Sequence, residues 1–155
     1  METKEILIFS ITDKQYGVEV GGLQGIENYI PPTEVAGGPQ IAAGVVKIRQ
    51  EVYPVIDLRK MFCLPVTEAT DETKYLILNT QAGQVACIVD SVIEIFTGRD
   101  KEIQPFPTML RTQGTQYADC IMKVHDKLVV VMDSARLFDE VAARELVTMA
   151  KKNEE

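Results

Sequence analysis

The chain of 155 residues contains no tryptophan, one histidine and three cysteines, and has 16 basic residues against 23 acidic ones. Each shortage excludes something. A formal net charge of −7 opposes nucleic acid and anionic membranes, because phosphate binding needs a cationic surface. No apolar run approaches the ~20 residues that span a bilayer. The start, METKEILIFS, has early acidic residues and only a brief apolar run, which makes it a poor signal peptide. Cys63, Cys87 and Cys120 are widely spaced and mostly flanked by apolar residues, so they read as reduced, packed thiols of a cytoplasmic protein. The sole histidine, His125, has no Ser or Cys nucleophile near it in sequence and reads as a surface residue. Phosphate loops, dinucleotide fingerprints, paired CxxC motifs and metal-spaced histidines are all missing. The expectation is a protein without enzyme activity, metal or cofactor.

What is there is a repeat. ILIFSITDKQYGVEVGGLQGI (6–26) aligns without gaps on YLILNTQAGQVACIVDSVIEI (75–95), matching Leu23 to Val92 and Ile26 to Ile95. GVVKIRQEVYPVIDLRKMF (44–62) aligns on CIMKVHDKLVVVMDSARLF (120–138), matching Asp57 to Asp133 and setting Arg49 opposite His125. A period of roughly 70 residues is too long for a solenoid and suits two copies of one small barrel. Each copy reads as strands. Ile6 to Ile11 and Tyr16 to Val20 flank a Thr12-Asp13-Lys14 turn, and the matching turn Gln81-Ala82-Gly83 offers a glycine for positive φ. Val45–Arg49 and Val52–Ile56 predict a hairpin turning at Gln50-Glu51. Pro54 cannot donate to a ladder, which predicts an edge strand or a bulge.

Pro31 to Pro39 reads as a loop, Val66 to Thr73 as the connector between copies, and Ile103 to Pro107 as an extended segment. After Phe138 the spacing predicts a helix that packs onto the barrels. Its apolar stripe holds Val141, Arg144/Glu145, Thr148 and Met149, widened by Leu146 and Ala150. Asp57 and Asp133 each end an apolar strand before a short helical signature, the position of a helix N-cap. A protease-like pair of aspartates is excluded: Leu-Arg and Ser-Ala, which follow them, lack a small turn that presents two carboxylates together. The fold class is mainly β. Two tandem β-barrels occupy approximately residues 1–69 and 70–155, with short helices and a C-terminal helix.

At GVVKIRQEVYPVIDLRKMF the chain resembles the CheW-like family of chemotaxis coupling proteins, whose signature is roughly GVxNLRGxxxPVxDLR. Gly44, Val45, Arg49, Pro54, Val55, Asp57, Leu58 and Arg59 match. The resemblance continues through FSITDKQYGVEV, CIVDSVIEI and IQPFP, and so covers nearly the whole chain. It implies a single CheW-like domain over 1–155, built of two five-stranded barrels of the SH3- or OB-like kind. It also implies an adaptor between methyl-accepting chemoreceptors and the regulatory domain of the histidine kinase CheA, cytoplasmic and recruited to membrane-associated receptor arrays without inserting into the membrane. By motif position, Leu23, Arg49, Val92 and Ile95 face the receptor. Four positions depart from the family pattern: Gln50 replaces a turn glycine, Lys47 a frequent asparagine, Gly25 a frequent glutamate and Cys120 a common glycine. The alternative, a small-barrel binder of single-stranded nucleic acid, calls for clustered cations and exposed aromatics, against a net charge of −7 and no tryptophan.

Overall fold

The structure is a computed structural model describing residues 3–36, 39–110, 116–138 and 140–154. Gly37 and Gly38 of the predicted 31–39 loop, and the side chains of Val141 and Ala150, lie outside the described residues. The first repeat supplies β1 (Thr3–Ile11), β2 (Lys14–Glu19), β3 (Leu23–Asn28), β4 (Ala42–Ile48), β5 (Glu51–Asp57) and α1 (Leu58–Met61). The second supplies β6 (Lys74–Thr80), β7 (Gly83–Val89), β8 (Ser91–Arg99), β9 (Ile103–Pro105), β10 (Ala118–Val124), β11 (Lys127–Met132) and α2 (Glu140–Glu154). Gly83 takes the positive φ, +93°, that its turn was expected to need, and β9 is the extended segment around Pro105.

The strands form a six-stranded sheet, β8-β1-β2-β11-β10-β9, and a five-stranded sheet, β3-β6-β7-β5-β4. This division corrects the expected boundary near residue 69. The β1–β2 hairpin of the first repeat lies inside the second repeat's sheet, and β6–β7 lies inside the first's. The reason is written in the apolar runs. Ile6 and Ile8 enter a cluster within the six-stranded sheet, while Leu7, Phe9 and Ile11 enter a central core built from both sheets. On β6, Tyr75 and Ile77 likewise face the inside of the five-stranded sheet, and Leu76 and Leu78 face the central core. A strand apolar on both faces is stable only where both are covered, which is the middle of a sheet packed on another sheet. Parallel pairing of β2 with β11 and of β7 with β5 stitches each hairpin into place. Gly98 of β8 closes the six-stranded sheet on itself, since a Cβ there would stand 2.5 Å from Met122 Sδ on β10.

Three local expectations change. The β4–β5 turn is Arg49-Gln50, not Gln50-Glu51, because Glu51 pairs with Ile48. Two-residue turns with positive φ suit the right-handed twist of a hairpin, and here φ is 49° and 77°. Pro54 lies on β5, an interior strand rather than an edge, although the β4–β5 register does slip beside it, between Ala42 and Gly44. It is tolerated because its partner Val45 gives its N–H and C=O to Thr33, at 2.9 and 2.8 Å, and pairing with β7 begins only at Val55. On α2, which packs on β4 and β5, Leu146 and Met149 are buried with Ala142 and Ala143 beside them. Arg144 and Thr148 are exposed and lie off the stripe in which they were expected.

Candidate functional site

The site begins with two bulges. On β3, Leu23 opposes Leu78 and Ile26 opposes Leu76, with the register slipping by one residue between them. On β8, Val92 opposes Phe9 and Ile95 opposes Leu7, with the same slip. Residues three apart on a regular strand point to opposite faces. The extra residue, Gln24 or Ile93, restores both members of each pair to the face of the central core. Leu23 and Val92 pack half-buried against that core. Ile26 and Ile95 lie further along the same faces, 42% and 57% exposed, and Ile93 is 42% exposed. The structure thus gives Leu23 and Val92 equivalent places beside one core, with Ile95 on the same face of β8 as Val92. Sequence reasoning omitted Ile26, although the repeat alignment had matched it to Ile95.

Arg49 is elsewhere. It occupies the β4–β5 turn, and its Nη1 donates to Glu27 Oε2 at 2.6 Å. Glu27 follows Ile26 on β3 and so faces the other way, opposite Tyr75 of the five-stranded sheet's inner cluster. The side chain of Arg49 is 78% exposed. His125 repeats the arrangement: it sits in the β10–β11 turn with Asp126, at φ of 48° and 66°, and its Nε2 lies 3.1 Å from Glu94 Oε1 on β8. Each turn is tied by a surface side-chain contact to β3 or β8 of its own sheet, and an exposed ion pair such as Arg49–Glu27 contributes only about 0–1 kcal/mol. The motif's arginine therefore belongs to the mouth of one barrel, not to the face carrying Leu23 and Ile26.

Asp57 and Asp133 are both caps. Asp57 Oδ1 accepts from Arg59 N at 3.0 Å, and Asp133 Oδ1 accepts from Ala135 N at 3.0 Å. Asp57 does more, since Arg59 Nε donates to it at 3.0 Å with both residues buried. Arg59 also donates to Thr67 O at 2.6 Å and lies 3.6 Å from Asp90 Oδ1. Nothing in the sequence marked Arg59 as buried beyond its place in the DLR triplet. Of the thiols, Cys87 and Cys120 are buried, while Cys63, expected to be packed, is exposed because it follows α1 at φ 57°. Burial pushes the Cys87 thiol far up and the Cys120 thiol up to about 11. Among the described residues no group of three His, Cys, Asp or Glu side chains could hold a metal ion, and no helix is long and apolar enough to cross a membrane.

Comparison with known proteins agrees with this geometry. The chemotaxis protein CheW of Bacillus subtilis is 30% identical over 144 residues, 93% of this chain and 92% of that protein. CheW of Klebsiella aerogenes is 27% identical over 134 residues, 86% of this chain and 81% of that one. The crystal structure of the scaffolding protein TtCheW from Thermoanaerobacter tengcongensis matches with a TM-score of 0.82 at 25% identity, covering 94% of this chain and 99% of its own. The CheW-like domain family matches residues 5–142, and the chain belongs to that family of chemotaxis proteins.

Proposed function

We propose that the protein is a non-catalytic adaptor that couples methyl-accepting chemoreceptors to a CheA-type histidine kinase within membrane-associated arrays. The observation that carries this reading is the duplicated apolar rim, Leu23 with Ile26 and Val92 with Ile95, in a chain whose structural relative is named a scaffolding protein. A bulge repeated at the same place in both halves leaves isoleucines 42% and 57% exposed. An amphipathic receptor helix laid along such rims would cover them and gain their hydrophobic contacts. Arg49, 78% exposed, offers a planar fork of donors that suits a polar contact at the margin. The acidic surface, with net charge −7, weighs against the single-stranded nucleic acid reading.

The test is co-sedimentation of Ile26→Glu, Ile95→Glu and Arg49→Ala with receptor-bearing membranes, alongside titration of each into the CheA regulatory domain. The expected result is loss of receptor sedimentation in both isoleucine variants with kinase binding retained. Arg49→Ala, as an interface contact, should cost about 2 kcal/mol or more of assembly. Wild-type sedimentation by both folded isoleucine variants would overturn the assignment of this face, and wild-type assembly by folded Arg49→Ala would remove Arg49 from the interface.

A further inference from the structure

One polar network joins the two sheets. Arg59 is 7% exposed and Asp57 4%, at the junction of β5 and α1 on the five-stranded sheet. Asp57 Oδ1 receives Arg59 Nε at 3.0 Å, Asp57 Oδ2 receives Nη2 at 3.4 Å, and the Thr67 carbonyl receives Nη1 at 2.6 Å. Facing the same guanidinium at 3.6 Å is Asp90, which stands where the chain leaves β7 in one sheet and enters β8 in the other. The other Asp90 oxygen accepts the backbone N–H of Thr12, at the tip of the β1–β2 hairpin. Thr12 Oγ1 in turn donates to Pro65 O at 2.9 Å, and Asp90 N donates to Ser10 O at 2.9 Å. Two strand ends, the tip of the inserted hairpin and the connector between repeats thus converge on one arginine. The second repeat has no counterpart among the described residues: Ala135 aligns with Arg59, and Arg136, half exposed, pairs with Asp133 and with Asp119 of its own sheet.

We propose that Arg59 and Asp90 form a strut that fixes the orientation of one sheet against the other, and through it the spacing of the β3 and β8 rims. The apolar core between the sheets attracts without direction, so by itself it permits a small rotation. A guanidinium fork held by carboxylates and a carbonyl has fixed geometry. Asp90 immediately precedes Ser91 and Val92, so a shift there moves the start of the β8 rim directly. Arg59 is a positioning residue and touches no partner.

The experiment is residual dipolar coupling on the full chain, comparing the alignment of amides in the two sheets for wild type, Asp90→Asn and Arg59→Lys. Asp90→Asn keeps an acceptor for Thr12 and removes only the charge facing Arg59; Arg59→Lys keeps the charge and removes the fork. The expected result is one shared alignment tensor in wild type and rotated tensors in both variants, with couplings within each sheet unchanged. A shared, unrotated tensor in Asp90→Asn would overturn the strut, and so would loss of its fold, which would make the network a general stability element. If Arg59→Lys does not fold, Asp90→Asn decides. The consequence for the rims rests on the adaptor reading, and receptor sedimentation of the folded variants should weaken about fivefold or more, the low end of coupling between separated sites. Rotated tensors with unchanged sedimentation would leave the strut standing and remove the rims as the receptor face.

Discussion

The internal repeat supplies its own control for the two caps. Asp57→Ala and Asp133→Ala remove equivalent side chains, each accepting one backbone N–H at 3.0 Å, and a lost cap costs about 0.5–2 kcal/mol. Beyond the cap the two sites differ. Asp133 also pairs with Arg136 at 2.9 Å, but that arginine is 50% exposed, and a pair of this kind adds little. Asp57 is 4% exposed beside Arg59 at 7%, and removing one partner of a buried pair costs about 3–5 kcal/mol where the other charge is left uncompensated. Asp90 and the Thr67 carbonyl still face Arg59, so the first variant should lose about 3 kcal/mol, the low end of that range, and the second about 1 kcal/mol. With a urea m-value of about 2 kcal/mol/M, the two midpoints should separate by about 1 M. The assay is equilibrium urea unfolding of both variants at constant m. Equal midpoints would refute the claim that Arg59 depends on Asp57, and would reduce Asp57 to a cap alone.

Three further outcomes are expected. Gly44→Ala should destabilise by at least about 1–3 kcal/mol in the same assay, because φ is +134° and a Cβ would fall 2.0 Å from the Thr33 carbonyl oxygen; an unchanged midpoint would contradict that contact. A thiol reagent added to native protein should modify Cys63 rapidly and leave Cys87 and Cys120 slow until the chain unfolds, and three fast thiols would contradict their burial. Fragments 1–69 and 70–155 should each lack a cooperative melt and should recover one on mixing, since β3 reaches β5 and β4 only through β6 and β7; a cooperative melt from either fragment alone would refute the interlocked topology.

Much of this was legible in the sequence, and what was legible is local. The duplicated strands, the left-handed φ at Gly83, the caps at Asp57 and Asp133 and the extended 103–105 segment follow from short-range sterics and hydrogen bonding. The assignment of hairpins to sheets is not local. The run at 6–11 shows that β1 needs cover on both faces, but two related repeats offer two chemically similar places to find it. Pro54 misled for a related reason: its tolerance depends on Thr33, 21 positions earlier, taking the hydrogen bonds of Val45. For the candidate site, the family resemblance pointed to Leu23, Arg49, Val92 and Ile95 together but gave no sign that Arg49 turns toward Glu27 on the other face of β3.

The repeat also sorts which features are tied to the backbone and which to the partner sheet. Bulges recur at Gln24 and Ile93, two-residue turns with positive φ at Arg49-Gln50 and His125-Asp126, and Asp caps at 57 and 133. Each is a property of strand geometry, so duplication retains it. The partners of the arginines behave differently. Arg59 meets Asp90, between β7 and β8 of the second repeat, and Thr67 of the connector, whereas Arg136 meets Asp119 within its own sheet. Among the described residues the first repeat is followed by the connector that Arg59 contacts and the second by α2. The Asp cap is therefore shared by the two repeats, while the arginine beside it is buried across the two sheets in one and half exposed within a single sheet in the other.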